Sequence, residues 1–300
     1  MSPERELIEC KTIDGTIIRG FIYPVEGAGP AVIMSHGVQM SLPDLAEEFQ
    51  AHGYNAIVYD ARSIGASDGM PRNETDPLQM AADLSDIITH VSYMPTVESR
   101  RILLWGLSFG GMLSGLCAAV DGRLKGVVMV APLFSFIQAT KHKSLFPQLI
   151  NDRISQVRGN KALTLQPFDS CGRNPAGMGG AEGPGGLESY NLMRAAAETG
   201  HPTFRDRITL QTYYKLALAR PKEIIQEFSQ EVPVMMIVPE LDDISAPSEQ
   251  KGVFDTIKAP KRLYWSKGAG HLSIMTGKGA AEIKKATEDF FEDALKGEVK

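Results

Sequence analysis

"RILLWGLSFGGMLSGLCAAV", residues 101–120, is the stretch whose reading decides the fold. Residues 101–105 read as a strand, with Ile102–Trp105 a short, continuous apolar run of the kind a strand buried on both faces requires. Residues 111–120 alternate Gly, Ser, Ala and Cys with Met and Leu, which makes a helix slim enough to lie close on a sheet. Between them stands Gly106-Leu107-Ser108-Phe109-Gly110, a G-x-S-x-G sequence. A strand that turns sharply into a helix through this pattern exposes the serine hydroxyl at the top of a sheet. Gly106 and Gly110 are the places where a Cβ would strike the neighbouring strand or helix. The helix that follows aims backbone N–H groups at developing negative charge.

A second match, Gly65-Ala66-Ser67-Asp68-Gly69, lacks this context. No strand directly precedes Ser67, and Gly69 and Pro71 oppose a helix start after it. Ser108 is therefore the candidate nucleophile and Ser67 a structural serine.

Outward from the elbow, strand and helix alternate. The segments "RELIECKTI" and "TIIRGFIYP" flank Asp14-Gly15, a hairpin signal. "AVIMS", "NAIVYD" and "LKGVVMVAPL" read as buried strands, and "LPDLAEEFQAHG" and "DPLQMAADLSDIITHVSYM" as amphipathic helices. Short connections between such elements imply a mostly parallel sheet covered on both faces, an α/β fold. The rhythm stops near Pro132 and resumes with "PVMMIVP", a helix around "PSEQKGVFDTIK", the strand "KRLYW" and a last helix, "GAAEIKKATEDFFEDALK". Residues 1–132 and 230–300 are thus expected to form the core. Residues 133–229 are expected to be a largely helical cap with no clear strand. Within the cap, "CGRNPAGMGGAEGPGG" reads as a flexible loop.

Serine alone is a weak nucleophile, so a base and an acid are needed. This architecture places them in the order Ser, Asp, His, on loops after the last strands. His271 stands in the Gly-rich "SKGAGHLS" after "KRLYW". His36 also lies at a strand end, whereas His52, His90, His142 and His201 fall in helical or inserted segments. The acid is one of two neighbours in "ELDDISAP", Asp242 or Asp243. Asp242 is nearer the strand end, where the chain is more rigidly held. The other is expected to face solvent or to cap the following helix. Oxyanion donors are expected from the amide of Phe109 and from that of Val38 (or Gln39) in "HGVQM".

Bulk properties exclude several classes. A 300-residue chain with 43% hydrophobic and 22% charged residues can bury one large core. A net charge of −5 leaves no electrostatic footprint for nucleic acid or an anionic membrane. No apolar run approaches the roughly 20 residues of a membrane span. Three scattered cysteines and a charged N-terminal stretch without a signal-peptide core lead us to expect a cytoplasmic protein. No H-E-x-x-H or Cys/His cluster appears, so neither a metal nor another cofactor is expected.

With these residues in hand, the chain resembles the α/β-hydrolases. "DARSIGASDGMPRNETDP", "ITLQTYYKLALARP", "VPELDDISAPSEQ" and "GAGHLSIMTG" are similar to fungal polyketide-transferase-like hydrolases of secondary metabolism over nearly the whole chain. The resemblance implies hydrolysis or transfer of polyketide-derived acyl groups from esters or carrier-bound thioesters. It also implies Asp242 as the acid and a structural loop around Ser67. A reaction without an acyl-enzyme, such as C–C cleavage or cyclisation, would use the same fold. A non-catalytic binding protein on this scaffold would be expected to lack a member of the Ser, Asp, His set, and here all three are present.

Overall fold

The computed structural model describes residues 4–36, 42–178, 184–199, 206–226 and 231–300. The hairpin comes first, β1 (Glu6–Lys11) and β2 (Ile17–Tyr23), turning at Gly15 with φ +87°. Next come β3 (Gly29–His36), α1 (Pro43–Ala51), β4 (Asn55–Tyr59), α2 (Pro77–Ser92), β5 (Val97–Leu107), α3 (Phe109–Val120) and β6 (Gly126–Val130). The chain then leaves the sheet through α4 (His142–Val157), β7 (Thr164–Leu165), α5 (Pro184–Thr199), β8 (Ile208–Thr209), α6 (Gln211–Leu218) and α7 (Pro221–Ile225). It returns with β9 (Val234–Pro239), α8 (Pro247–Thr256), β10 (Lys261–Ser266) and α9 (Ala280–Lys296).

Among the described residues, eight strands form one sheet in the order β1-β2-β4-β3-β5-β6-β9-β10. The first two pairings are antiparallel, and every pairing from β4 onward is parallel. Side chains alternate across the sheet as the pleat dictates. Ala31, Ile33, Leu104, Val127 and Met129 face a core built with α2, α3 and α8. Val32, Met34, Trp105, Val128 and Val130 face a second core built with α1 and α9. This burial on both faces explains why the central strands read as unbroken apolar runs.

Two features depart from the sequence reading. The block between β6 and β9 contains a small antiparallel ladder, β7 with β8, two residues a side. Pairs that short carry no periodicity. The Gly-rich stretch is also more built than its composition implies. Asn174 donates to the carbonyl of Pro167 at 2.8 Å and accepts from the amide of Ala176 at 2.8 Å. Pro184, Gly185 and Gly186 already belong to α5. A Cβ on Gly186 would collide with the carbonyl of Gly172, so glycine serves close backbone approach there rather than looseness. Residues 179–183 of the same stretch lie outside the described residues.

The inserted block is tied to the sheet layer at residues 73–76. The Thr75 amide donates to Thr212 Oγ1 at 3.0 Å, Thr209 Oγ1 donates to Glu74 at 2.8 Å, and Lys215 pairs with Glu74 and Asp76. The three cysteines are free: Cys10 and Cys117 are buried and Cys171 is exposed. Burial pushes the Cys10 thiol up to about 12 and the Cys117 thiol higher still, leaving both unreactive. Among the described residues no helix is long and apolar enough to cross a membrane.

Candidate active site

β5 delivers Ser108 to the carboxyl end of the sheet, and α3 starts at the next residue. Ser108 has φ +59° and ψ −120°, a conformation that costs a non-glycine residue roughly 1–3 kcal/mol. Three backbone bonds hold it there. Its amide donates to Val130 at 2.8 Å, and its carbonyl accepts from Met112 at 3.2 Å and Leu133 at 3.3 Å. Gly106 makes the turn possible. A Cβ at that position would run into the Gly110 backbone carbonyl and lie 2.6 Å from Ser114 Oγ. Gly106→Ala is therefore expected to lower Tm by about 2–5 °C through overpacking, readable by thermal unfolding.

His271 sits in the loop after β10, only 2% exposed. Its Nε2 lies 2.7 Å from Ser108 Oγ, and its Nδ1 lies 2.9 and 3.0 Å from the two oxygens of Asp242. With Nδ1–H given to the carboxylate, Nε2 is the nitrogen free to accept the serine proton. The Asp242 carboxylate also accepts from the amides of Ile244 at 2.9 Å and Ser245 at 2.8 Å and from Gln250 Nε2 at 2.9 Å. These donors keep a buried charge compensated. Gln250, fully buried in the first turn of α8, was not singled out by sequence reasoning; a side chain eight positions beyond the acid gives no local signal. The loops carrying Asp242 and His271 are stitched together, since Leu241 donates to Ala269 at 2.8 Å and the Gly268 amide to Glu240 at 2.8 Å.

The sequence pattern of the family described as "Serine aminopeptidase, S33" (Hydrolase_4) matches residues 28–275. The chain belongs to this hydrolase family. It is an enzyme with the α/β-hydrolase fold. It is 37% identical over 282 residues to a thiohydrolase of Eupenicillium brefeldianum, covering 91% of this chain and 89% of that one. A polyketide transferase of Penicillium sp is 38% identical over 279 residues, covering 91% of each. The solved complex of DcsB with its substrate analogue superposes with a TM-score of 0.92 at 50% identity, covering 97% of this chain and 99% of that one.

In this S33 hydrolase, Ser108 and His271 open onto a cavity of about 120 Å³ that is lined almost entirely by apolar groups. Leu133 and Phe136 close it from the segment after β6. Leu192 and Met193 of α5 and Leu216 of α6 cover it from the inserted block. Phe109 packs edge-on against Phe136, with ring centroids 6.0 Å apart. A second hollow, about 590 Å³, shares Phe136 and Leu216 as its wall with the first.

The remaining candidates fall as follows. Phe109 is the first residue of α3, where helical amides have no partner within the helix. Val38 and Gln39 lie outside the described residues. Asp243 does not meet His271. Its Oδ2 accepts from the amide of Gly185 at 2.9 Å, so it caps α5, which lies earlier in the chain, rather than the following helix or open solvent. Ser67 is 1% exposed, accepts from the Arg19 amide at 2.8 Å and donates to the Asp60 carbonyl at 2.5 Å. Nearby, the Arg62 guanidinium joins Asp83 and Asp14, fastening this loop to α2 and the hairpin.

Proposed function

We propose that this chain transfers a hydrophobic, polyketide-type acyl group from an ester or a carrier-bound thioester, through a Ser108–His271–Asp242 triad and an acyl-enzyme. The observation that carries the reading is the unbroken hydrogen-bond chain from Ser108 Oγ through His271 to Asp242, opening on an apolar cavity. His271 Nε2 takes the hydroxyl proton as Ser108 Oγ attacks the carbonyl carbon. The oxyanion is received by the amide of Phe109 and, in this proposal, that of Val38. On collapse the C–S or C–O bond breaks, and imidazolium returns its proton to the leaving thiol or alcohol. Water or a bound alcohol then enters by the same steps in reverse and releases Ser108.

Residues 133–229 act in this scheme as a cap over residues 1–132 and 230–300, excluding water from the acyl-enzyme. The names of the relatives, a thiohydrolase and a polyketide transferase, support the thioester and the polyketide character. The test is intact-protein mass spectrometry with an aromatic or medium-chain acyl thioester, with and without added alcohols. The expected result is a transient mass increase equal to the acyl group, followed by free acid in water or ester when alcohol is present. Turnover with no such adduct under single-turnover conditions would defeat the acyl-enzyme.

A further inference from the structure

Two aspartates stand side by side in the loop after β9, and only one faces the histidine. The other, Asp243, reaches back to the start of α5. Its Oδ2 accepts the Gly185 amide at 2.9 Å. Gly185 in turn accepts, on its carbonyl, the hydroxyl of Ser189 at 2.7 Å. Ser189, Leu192 and Met193 are the α5 side chains that line the cavity beside Ser108. An unbroken path of bonds therefore runs from the loop holding the His271 partner to the wall of the acyl pocket.

The fit at this joint is close. A Cβ on Gly185 would press on Asp243 and lie 2.8 Å from Ile244 Cγ1, and Ile244 itself lines the cavity. A carboxylate at the first turn of a helix also meets the positive end of the helix dipole. Free helix-start amides need an acceptor, and here it comes from a residue 58 positions further along the chain.

We propose that Asp243 is a positioning residue that latches α5 over the pocket and thereby sets which acyl groups fit. The substrate arm of this inference rests on the acyl-transfer reading above; the latch itself does not. The contact requires an acceptor oxygen at the Gly185 amide, which asparagine supplies and alanine does not. Were Asp243 instead the partner of His271, asparagine would fail as badly as alanine.

The experiment compares wild type with Asp243→Ala, Asp243→Asn and Gly185→Ala. Hydrogen–deuterium exchange is followed over residues 184–199, alongside kinetics on p-nitrophenyl acetate and octanoate. Asp243→Ala and Gly185→Ala are expected to speed exchange in α5 about tenfold while peptides carrying Asp242 and His271 hold their protection. In both, KM for octanoate rises about tenfold, kcat falls less than threefold, and KM for acetate moves little. Asp243→Asn stays close to wild type in every readout. Unchanged exchange in α5 of Asp243→Ala would overturn the latch. So would a loss of kcat on acetate in Asp243→Asn as deep as in Asp243→Ala. Should no variant, wild type included, cleave either ester, the acyl-transfer reading is what suffers, and the exchange data still decide the latch.

Discussion

Ser108→Ala is expected to lower kcat for ester or thioester cleavage about a million-fold while leaving the fold intact. The size follows from the residues acting as a unit. Without Oγ there is no bond to the acyl carbon, and His271 has nothing to deprotonate across its 2.7 Å contact. What survives is binding in the apolar cavity and the backbone amides at the start of α3, a residual acceleration over water of roughly 10³–10⁴. Alanine fits the site, because a Cβ is already present at that φ and the hydroxyl points to the cavity. The change is checked by a fluorophosphonate probe: wild type gains one adduct, Ser108→Ala none, and Ser67→Ala labels as wild type if it folds. Retained turnover in Ser108→Ala would instead indicate chemistry without an acyl-enzyme, such as C–C cleavage or cyclisation.

The second large effect is expected from Asp242→Asn, about a 10⁴-fold loss of kcat, or roughly 5 kcal/mol of transition-state stabilisation. The two carboxylate oxygens sit 2.9 and 3.0 Å from His271 Nδ1 and fix Nδ1 as the protonated nitrogen. Asparagine can turn its NH₂ toward Nδ1, which favours the wrong tautomer and puts the ring proton on the side of Ser108. The imidazolium formed during attack also loses its counter-charge in a buried site. Volume and shape are unchanged, so the loss is expected in kcat rather than in KM. Steady-state kinetics on one ester, with Asp243→Asn as the matched control, check it.

The parts of this molecule that were legible in the sequence are those whose physics is local. β3, β5, β6 and β9 are buried on both faces, so they appear as apolar runs bounded by turn residues. Ser108 was separable from Ser67 because the strand before it and the helix after it are both written within twenty residues. His271, which lies 2.7 Å from Ser108 Oγ, stands out in the sequence by its place after the last strand. The illegible parts depend on partners far along the chain. Nothing around Asp243 announces that Gly185 needs an acceptor, and nothing around Gln250 shows that it will point at Asp242. The glycines at 172, 185 and 186 read as loop composition, although a Cβ at 172 or 186 would strike the facing backbone and one at 185 would strike the Asp243 and Ile244 side chains. The β7–β8 ladder, two residues long, is below the length at which alternation exists.

The strand order has a consequence for how the protein is made. β6 pairs with β9, and the stretch from Pro132 to Pro233 lies between them in the chain. At about 5–20 residues per second, a ribosome needs roughly 5–20 s to bridge that interval. Throughout it, Gly126–Val130 offers an unpaired, fully apolar edge, which natural sheets ordinarily shield. In the proposed mechanism Ser108 is translated long before Asp242 and His271, so a nascent chain would carry it unarmed. Activity can switch on only when the last two parallel strands dock, and that same docking covers the sticky edge. Chains cut short before β9 are thus expected to be inert and dependent on chaperones.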